Sequence, residues 1–195
     1  VFTRDGWGDY AALQSTIHQE WARDRSSTLK EDMTYHPSDC FETFPFCSTD
    51  GKALNAIGET YYDYRLTVMR DSESGLTKTY KRFNDPNDTS ADIQKLRKLH
   101  VEMDQAVAAA YCWTDLNLDH GFHETKQGVR FTISEPARRE VLQRLLKLNH
   151  ERYAEEVKQG LHGKTAKSTS KSGRGRKKKN PLAVASGQPE QQDMF

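Results

Sequence analysis

Tyr35-His36-Pro37-Ser38-Asp39-Cys40-Phe41-Glu42-Thr43-Phe44-Pro45-Phe46 carries four aromatic residues and two prolines in twelve positions. Each proline fixes its own φ and pushes the preceding residue toward extended backbone. The stretch therefore reads as an extended, non-helical crossing. Phe41, Phe44 and Phe46 are expected to face a core. Helical patterns flank the crossing on both sides, so it reads as the seam between two parts of the chain. Aromatic seams are first of all core packing and name no activity.

Upstream, Asp5-Gly6-Trp7-Gly8-Asp9 reads as a turn. Leu13, Ile17 and Trp21, spaced by four, predict a helix from Tyr10 to about Arg23. Ser26-Ser27-Thr28-Leu29-Lys30 is polar and reads as irregular. Downstream, Leu54, Ile57, Tyr61, Tyr64 and Val68 mark the buried stripe of a helix over about 53–71. A shorter helix is expected over 77–83, ended by Asn84-Asp85-Pro86-Asn87-Asp88-Thr89. Thr89 or Ser90 then caps a helix running to about Cys112, with Ile93, Leu96, His100, Met103, Val107 and Ala110 inward. Residues 113–125 read as a polar, aromatic loop and Gly128–Ile133 as a single short strand. Ser134-Glu135-Pro136 opens a last helix, which Gly160 ends after about Gln159. The fold class is mainly α with a few short strands, an α+β chain built as a helical bundle-like scaffold.

Composition divides the chain further. Residues 1–163 hold 21 Lys and Arg against 26 Asp and Glu, and residues 164–195 hold 8 against 2. A mildly acidic body thus carries a basic tail. The tail is rich in Ser, Gly and Lys and reads as disordered, because it cannot bury a core. The domain plan is 1–47, 48–162 and a tail over 163–195. Apolar residues make up 35% and mean hydropathy is −0.89, and no apolar run approaches the ~20 residues of a membrane span. Cys40, Cys47 and Cys112 are odd in number and lack paired metal spacing, which suits reduced thiols in a cytoplasmic protein. Val1-Phe2-Thr3 reads as a strand entered halfway, and so the chain as the C-terminal part of a larger protein.

No phosphate-binding glycine loop, nucleophile elbow or CxxC is present, so no self-sufficient active site is expected: no catalytic, cofactor-binding or metal-ligating residue is assigned. The most metal-like cluster is Asp119-His120-Gly121-Phe122-His123-Glu124, whose two histidines and two acids would serve a small metal enzyme; a polar loop is the plainer reading. Nucleic-acid contact has more candidates. Trp21, Arg23, Arg25, Lys30, Tyr35 and Ser38 place planar and cationic groups near the seam, and Lys78 and Lys81, with Arg82, surround Tyr80. Arginine pairs with guanine edges, while Ser, Lys and Arg hold phosphates. The tail would bind phosphates without sequence preference. Each of these also reads as an ordinary solvated face or linker.

Taken in order, several segments resemble a known family. They are Leu13-Gln14-Ser15-Thr16-Ile17-His18 with Trp21-Ala22, Ser27-Thr28-Leu29, the seam with Tyr35, Ser38 and Phe44-Pro45-Phe46, then Gly75–Tyr80, Leu99–Asp104 and Gly121–Thr125. Together they resemble the C-terminal region of large bacterial DNA adenine-N6 methyltransferases of restriction–modification and phage-defence systems. Cys47 departs from the final proline of the family's seam. The resemblance implies that residues 1–47 end a target-recognition region and that 48–162 form the scaffold behind it. It implies S-adenosylmethionine as cofactor of the full-length protein and double-stranded DNA as partner, with the target base flipped from the duplex. The glycine-rich cofactor strand and the Asn/Asp-Pro-Pro-Tyr/Phe motif are absent, and Asp85-Pro86-Asn87 does not replace the latter. Whether this chain counts as an enzyme thus depends on the full-length protein. At the C-terminus, Gln191, Asp193, Met194 and Phe195 resemble the bacterial sliding-clamp-binding pentapeptide, with Gln192 in place of the usual leucine; a clamp or another defence subunit is the implied partner. The alternative is a stand-alone helical interaction or DNA-binding protein with a basic tail.

Overall fold

The computed structural model describes residues 6–29 and 32–161, and the basic tail and its C-terminal peptide lie outside them. Seven helices and two antiparallel hairpins form the described part: α1 Trp7–Gln14, α2 Thr16–Arg25, β1 Ser27–Leu29, β2 Asp32–Thr34, α3 Pro37–Cys40, α4 Lys52–Asp71, α5 Leu76–Phe83, α6 Ala91–Ala110, β3 Gly121–Thr125, β4 Gly128–Thr132 and α7 Glu135–Lys158. The mainly helical α+β expectation holds. No helix among the described residues is long and apolar enough to cross a membrane.

The first expected helix is two. Ser15 turns to extended backbone (φ −66°, ψ 155°), its hydroxyl donates to Ala12 O at 2.7 Å, and its Oγ accepts from His18 N at 3.3 Å. Serine at such a position caps the helix that follows. The helix also begins earlier than expected, at Trp7, so Asp5–Asp9 is not simply a turn. The polar stretch after α2 is strand β1, paired with β2 in the register Ser27↔Thr34 to Leu29↔Asp32.

The seam is not extended throughout. Pro37 sits in the first turn of α3, where its missing N–H removes no helical bond. Residues 41–43 continue α3 as a turn, with Phe44 N donating to Phe41 O at 3.1 Å, and the expected non-helical crossing runs only from Phe44 to Cys47. Phe44 and Phe46 are buried with ring centroids 4.8 Å apart, and Phe41 is half-buried. Carbonyls of the crossing need donors, and distant elements supply them. Asn149 Nδ2 donates to Thr43 O, Tyr111 Oη to Pro45 O and Arg152 Nη2 to Phe46 O, at 2.7–3.0 Å.

Helix α4 packs on α1 and α6. Gly8 and Gly58 allow this approach, since a Cβ on Gly58 would lie 2.3 Å from Trp7 O. Arg97 of α6 donates to four carbonyls of the α5–α6 turn (Arg82, Phe83, Asp85 and Asp88) at 2.8–3.1 Å and so pins that turn. The expected loop before Gly128 contains β3, which pairs with β4 from Gly121↔Thr132 to Thr125↔Gly128. Residues on both sides of position 47, from Ala11 and Trp21 to Leu96 and Leu145, belong to one core cluster. The expected 1–47 and 48–162 parts therefore share one core.

Candidate functional site

The sequence candidates have different fates. Trp21 is fully buried, with the Arg25 guanidinium 4.6 Å from its ring centre. Burying about 150–250 Å² of tryptophan at about 25 cal/mol per Å² contributes roughly 4–6 kcal/mol. Stacking on a base returns about 1–3 kcal/mol, so Trp21 stays in the core and the expectation that it touches DNA is corrected. Arg25 is held there and pairs with Asp24 at 3.5 Å. Tyr35 lies half-buried with its hydroxyl 3.2 Å from His18 Nε2. Ser38 is exposed on α3 and donates to Asp39 Oδ1. Lys78 and Lys81 are exposed on α5, but their expected neighbour Arg82 is occupied by Asp88 and Asp92 at 2.8–3.0 Å. Tyr80 turns its hydroxyl inward, toward those of Tyr61 and the Arg65 guanidinium. Lys30 lies outside the described residues, as do Gln191, Asp193, Met194 and Phe195.

Arg23 is brought into a site. It lines a cavity of about 260 Å³ between α2, the end of α5, α6, the β3–β4 hairpin and the start of α7. Arg130 of β4 and Arg138 of α7 line the same cavity, with Glu20 as the sole carboxylate on its wall among the described residues. Arg23 Nη2 donates to Gln127 Oε1 at 3.1 Å across the rim, and Phe131 N donates to Asn84 Oδ1 at 3.1 Å, which fastens the hairpin to α5. Arg138 reaches Glu124 O at 3.3 Å and Glu135 at 3.6 Å. The Nε atoms of Arg130 and Arg138 are buried and find no acceptor among the described residues. Burial raises the Glu20 carboxyl above its ordinary value, against the pull of Arg23 and Arg138.

Beneath the cavity lies a buried polar network. Asp104 is fully buried on α6. Its Oδ1 accepts from Thr16 N at 2.8 Å, and its Oδ2 accepts from His120 Nε2 at 2.8 Å. His100 Nε2 lies 3.0 Å from Thr16 Oγ1 and 3.6 Å from Asp104 Oδ2. Burial opposes the Asp104 charge, yet His100, His120 and Thr16 together hold its carboxyl below the ordinary range. Burial pulls the His100 imidazole below its ordinary value, against the pull of Asp104. The network places a carboxylate at the N-terminus of α2, where free N–H groups and the helix dipole favour one. It resembles a Thr-His-Asp relay only in composition, because Thr16 and Asp104 both address Nε2 and His100 Nδ1 has no partner among the described residues.

His120 is committed to Asp104, and His123 Nε2 donates to Asp119 O at 2.9 Å, so the two histidines of the metal-like cluster diverge. No group of three or more His, Cys, Asp or Glu among the described residues is arranged to hold a metal ion. All four strands among them belong to two-stranded antiparallel hairpins. Arg130, Arg138, Glu20 and Asp104 escaped the sequence reading. The one local signal for Asp104 was its place four residues after His100, beside the apolar stripe of α6. No family model, curated protein or solved structure matches the chain.

Proposed function

We propose that this chain is the C-terminal specificity and scaffold part of an S-adenosylmethionine-dependent DNA adenine-N6 methyltransferase of a restriction–modification or phage-defence system. In this reading it contributes to recognition of double-stranded DNA, and the catalytic and cofactor motifs stand upstream. The ordered family-like segments motivate it. The observation that carries the DNA part is the convergence of Arg23, Arg130 and Arg138 on one cavity wall. The fold supplies a scaffold for that wall, since α2, α6 and α7 share one core. A sliding clamp reached through residues 191–195 belongs to the same proposal.

The test is duplex binding by the full chain across a salt series, beside a version lacking residues 164–195. Affinity that survives tail removal supports recognition by the folded body, while loss of all binding assigns it to the tail and refutes this part of the reading. The coding sequence upstream of Val1 tests the rest: absence of both methyltransferase motifs there refutes the assignment.

The second reading, a stand-alone helical interaction protein, is favoured by the end of α7 and the turn beyond it. Tyr153, Val157 and Leu161 form an apolar row spaced by four and are 54%, 48% and 69% exposed. Rows of this kind mark partner surfaces.

A further inference from the structure

We propose that the cavity between α2, the β3–β4 hairpin and α7 is a phosphate site that takes one phosphodiester group of a DNA backbone. The ligand class rests on the DNA reading above; the anion site itself does not. Three guanidinium groups from three separate elements line one cavity, and Glu20 is the single carboxylate on its wall among the described residues. The Arg130 side chain makes no hydrogen bond or ion pair among the described residues, its buried Nε included. Arg138 leaves its own buried Nε unmet. Leaving a charged donor buried without an acceptor is unfavourable by about 1–3 kcal/mol or more, and three guanidinium groups gathered on one cavity wall call for an acceptor-rich occupant. His100 lines the same cavity at 6% exposure, and its Nδ1 is likewise without a partner.

Phosphate answers this arrangement better than a base. Guanidinium forks match the paired oxygens of a phosphate. About 260 Å³ is the volume of on the order of nine waters at ~30 Å³ each, room for a phosphate with part of its hydration shell. Of the rings on the cavity wall, Phe83 is 3% exposed, half-buried Phe131 packs edge-on against Phe83 and Phe122 at 5.4 Å, and Tyr80 commits its hydroxyl to Tyr61 and Arg65. The contact therefore positions the duplex and does not read its sequence. Glu20 opposes the anion and sets the strength of the site.

The experiment uses the full chain and its Arg130→Gln and Glu20→Gln variants, with two duplexes of unrelated sequence, by fluorescence anisotropy over 50–300 mM salt. Melting with added inorganic phosphate is followed in parallel. Arg130→Gln is expected to weaken both duplexes equally, by about eightfold at 0.1 M salt, and to lower the salt slope by about one, the counterion equivalent of one phosphate. Glu20→Gln is expected to tighten both. Opposite signs from two substitutions in one cavity separate a binding role from loss of fold. Unchanged affinity and slope in both variants, or weakening in both, overturns the proposal. A change in the ratio between the two duplexes also overturns it, because it reveals base contact. If inorganic phosphate raises the melting temperature of the parent alone while Arg130→Gln leaves duplex affinity intact, the site belongs to free phosphate and the backbone assignment fails. If the parent binds neither duplex at 50 mM salt, the DNA reading falls; a phosphate-dependent melting shift abolished by Arg130→Gln then leaves the anion site standing.

Discussion

Replacing Asp104 by leucine tests whether the buried network holds the two halves of the core together. The carboxylate takes two donors from distant parts of the chain: Thr16 N at the start of α2 and His120 Nε2 just before β3, each at 2.8 Å. Leucine is close in size and accepts neither. A buried donor left without a partner destabilises by about 1–3 kcal/mol, so the two together come to roughly 2–6 and centre near 4 kcal/mol. For a folded body of this size each kcal/mol lowers Tm by about 2–4 °C, which gives a fall of about 8–16 °C. Asp104→Asn keeps the acceptor for Thr16 N and is expected to lose about half as much. Adding His120→Leu to Asp104→Leu removes one orphaned donor and should restore part of the loss, as expected when both members of a buried pair become apolar. Urea unfolding at pH 7, followed by circular dichroism, measures all of these. A leucine variant within about 1 kcal/mol of the parent, with unchanged denaturant dependence, would refute the network's role.

Three further predictions follow from single sites. Burial holds the His18 imidazole down at about 4, so the unfolded chain takes up the proton first as pH falls below its ordinary 6.5. The stability is fully present above pH 6.5 and is lost toward pH 4, by about 3 kcal/mol; His18→Gln should flatten urea-unfolding curves across that window, and an unchanged pH slope rejects the assignment. Gly58→Ala should lose about 2 kcal/mol by driving a Cβ against Trp7 O, whereas Gly51→Ala, with nothing within 4 Å, should not; thermal melts compare the pair. Cys112 holds φ at +61° just beyond α6, and Trp113 N reaches back to Ala108 O at 3.0 Å. Cys112→Gly should therefore raise stability by about 1 kcal/mol, visible as a higher melting temperature; a fall would show that the cysteine side chain contributes there.

Much of the helical plan was legible because it depends on near neighbours. The stripes Leu54–Val68 and Ile93–Val107, with the breakers and caps between them, placed α4, α5, α6 and α7 to within a few residues of their observed ends. Gly160 announced the end of α7. The equivalent left-handed residues Glu73 and Cys112 did not announce the ends of α4 and α6, since only glycine carries that signal in its identity. Phe44 and Phe46 could be assigned to the core from ring size and spacing. Trp21 could have been, because it lies on the same row as Leu13 and Ile17; counting it as a DNA contact set its chemistry above its period.

What the sequence determined alone was the set of helices, the aromatic content of the seam and the charge division between body and tail. These follow from periodicity, capping and composition, which act over a few residues. The tertiary structure decided the break at Ser15, where Asp104 receives Thr16 N from 88 residues away, and the union of the two expected parts into one core. It also decided the cavity, which joins Arg23 of α2 to Arg130 of β4 and Arg138 of α7. Hydrogen bonds and charges meeting across such distances follow no local period. Their partners are chosen by how the helices pack, and only the packed chain brings them together.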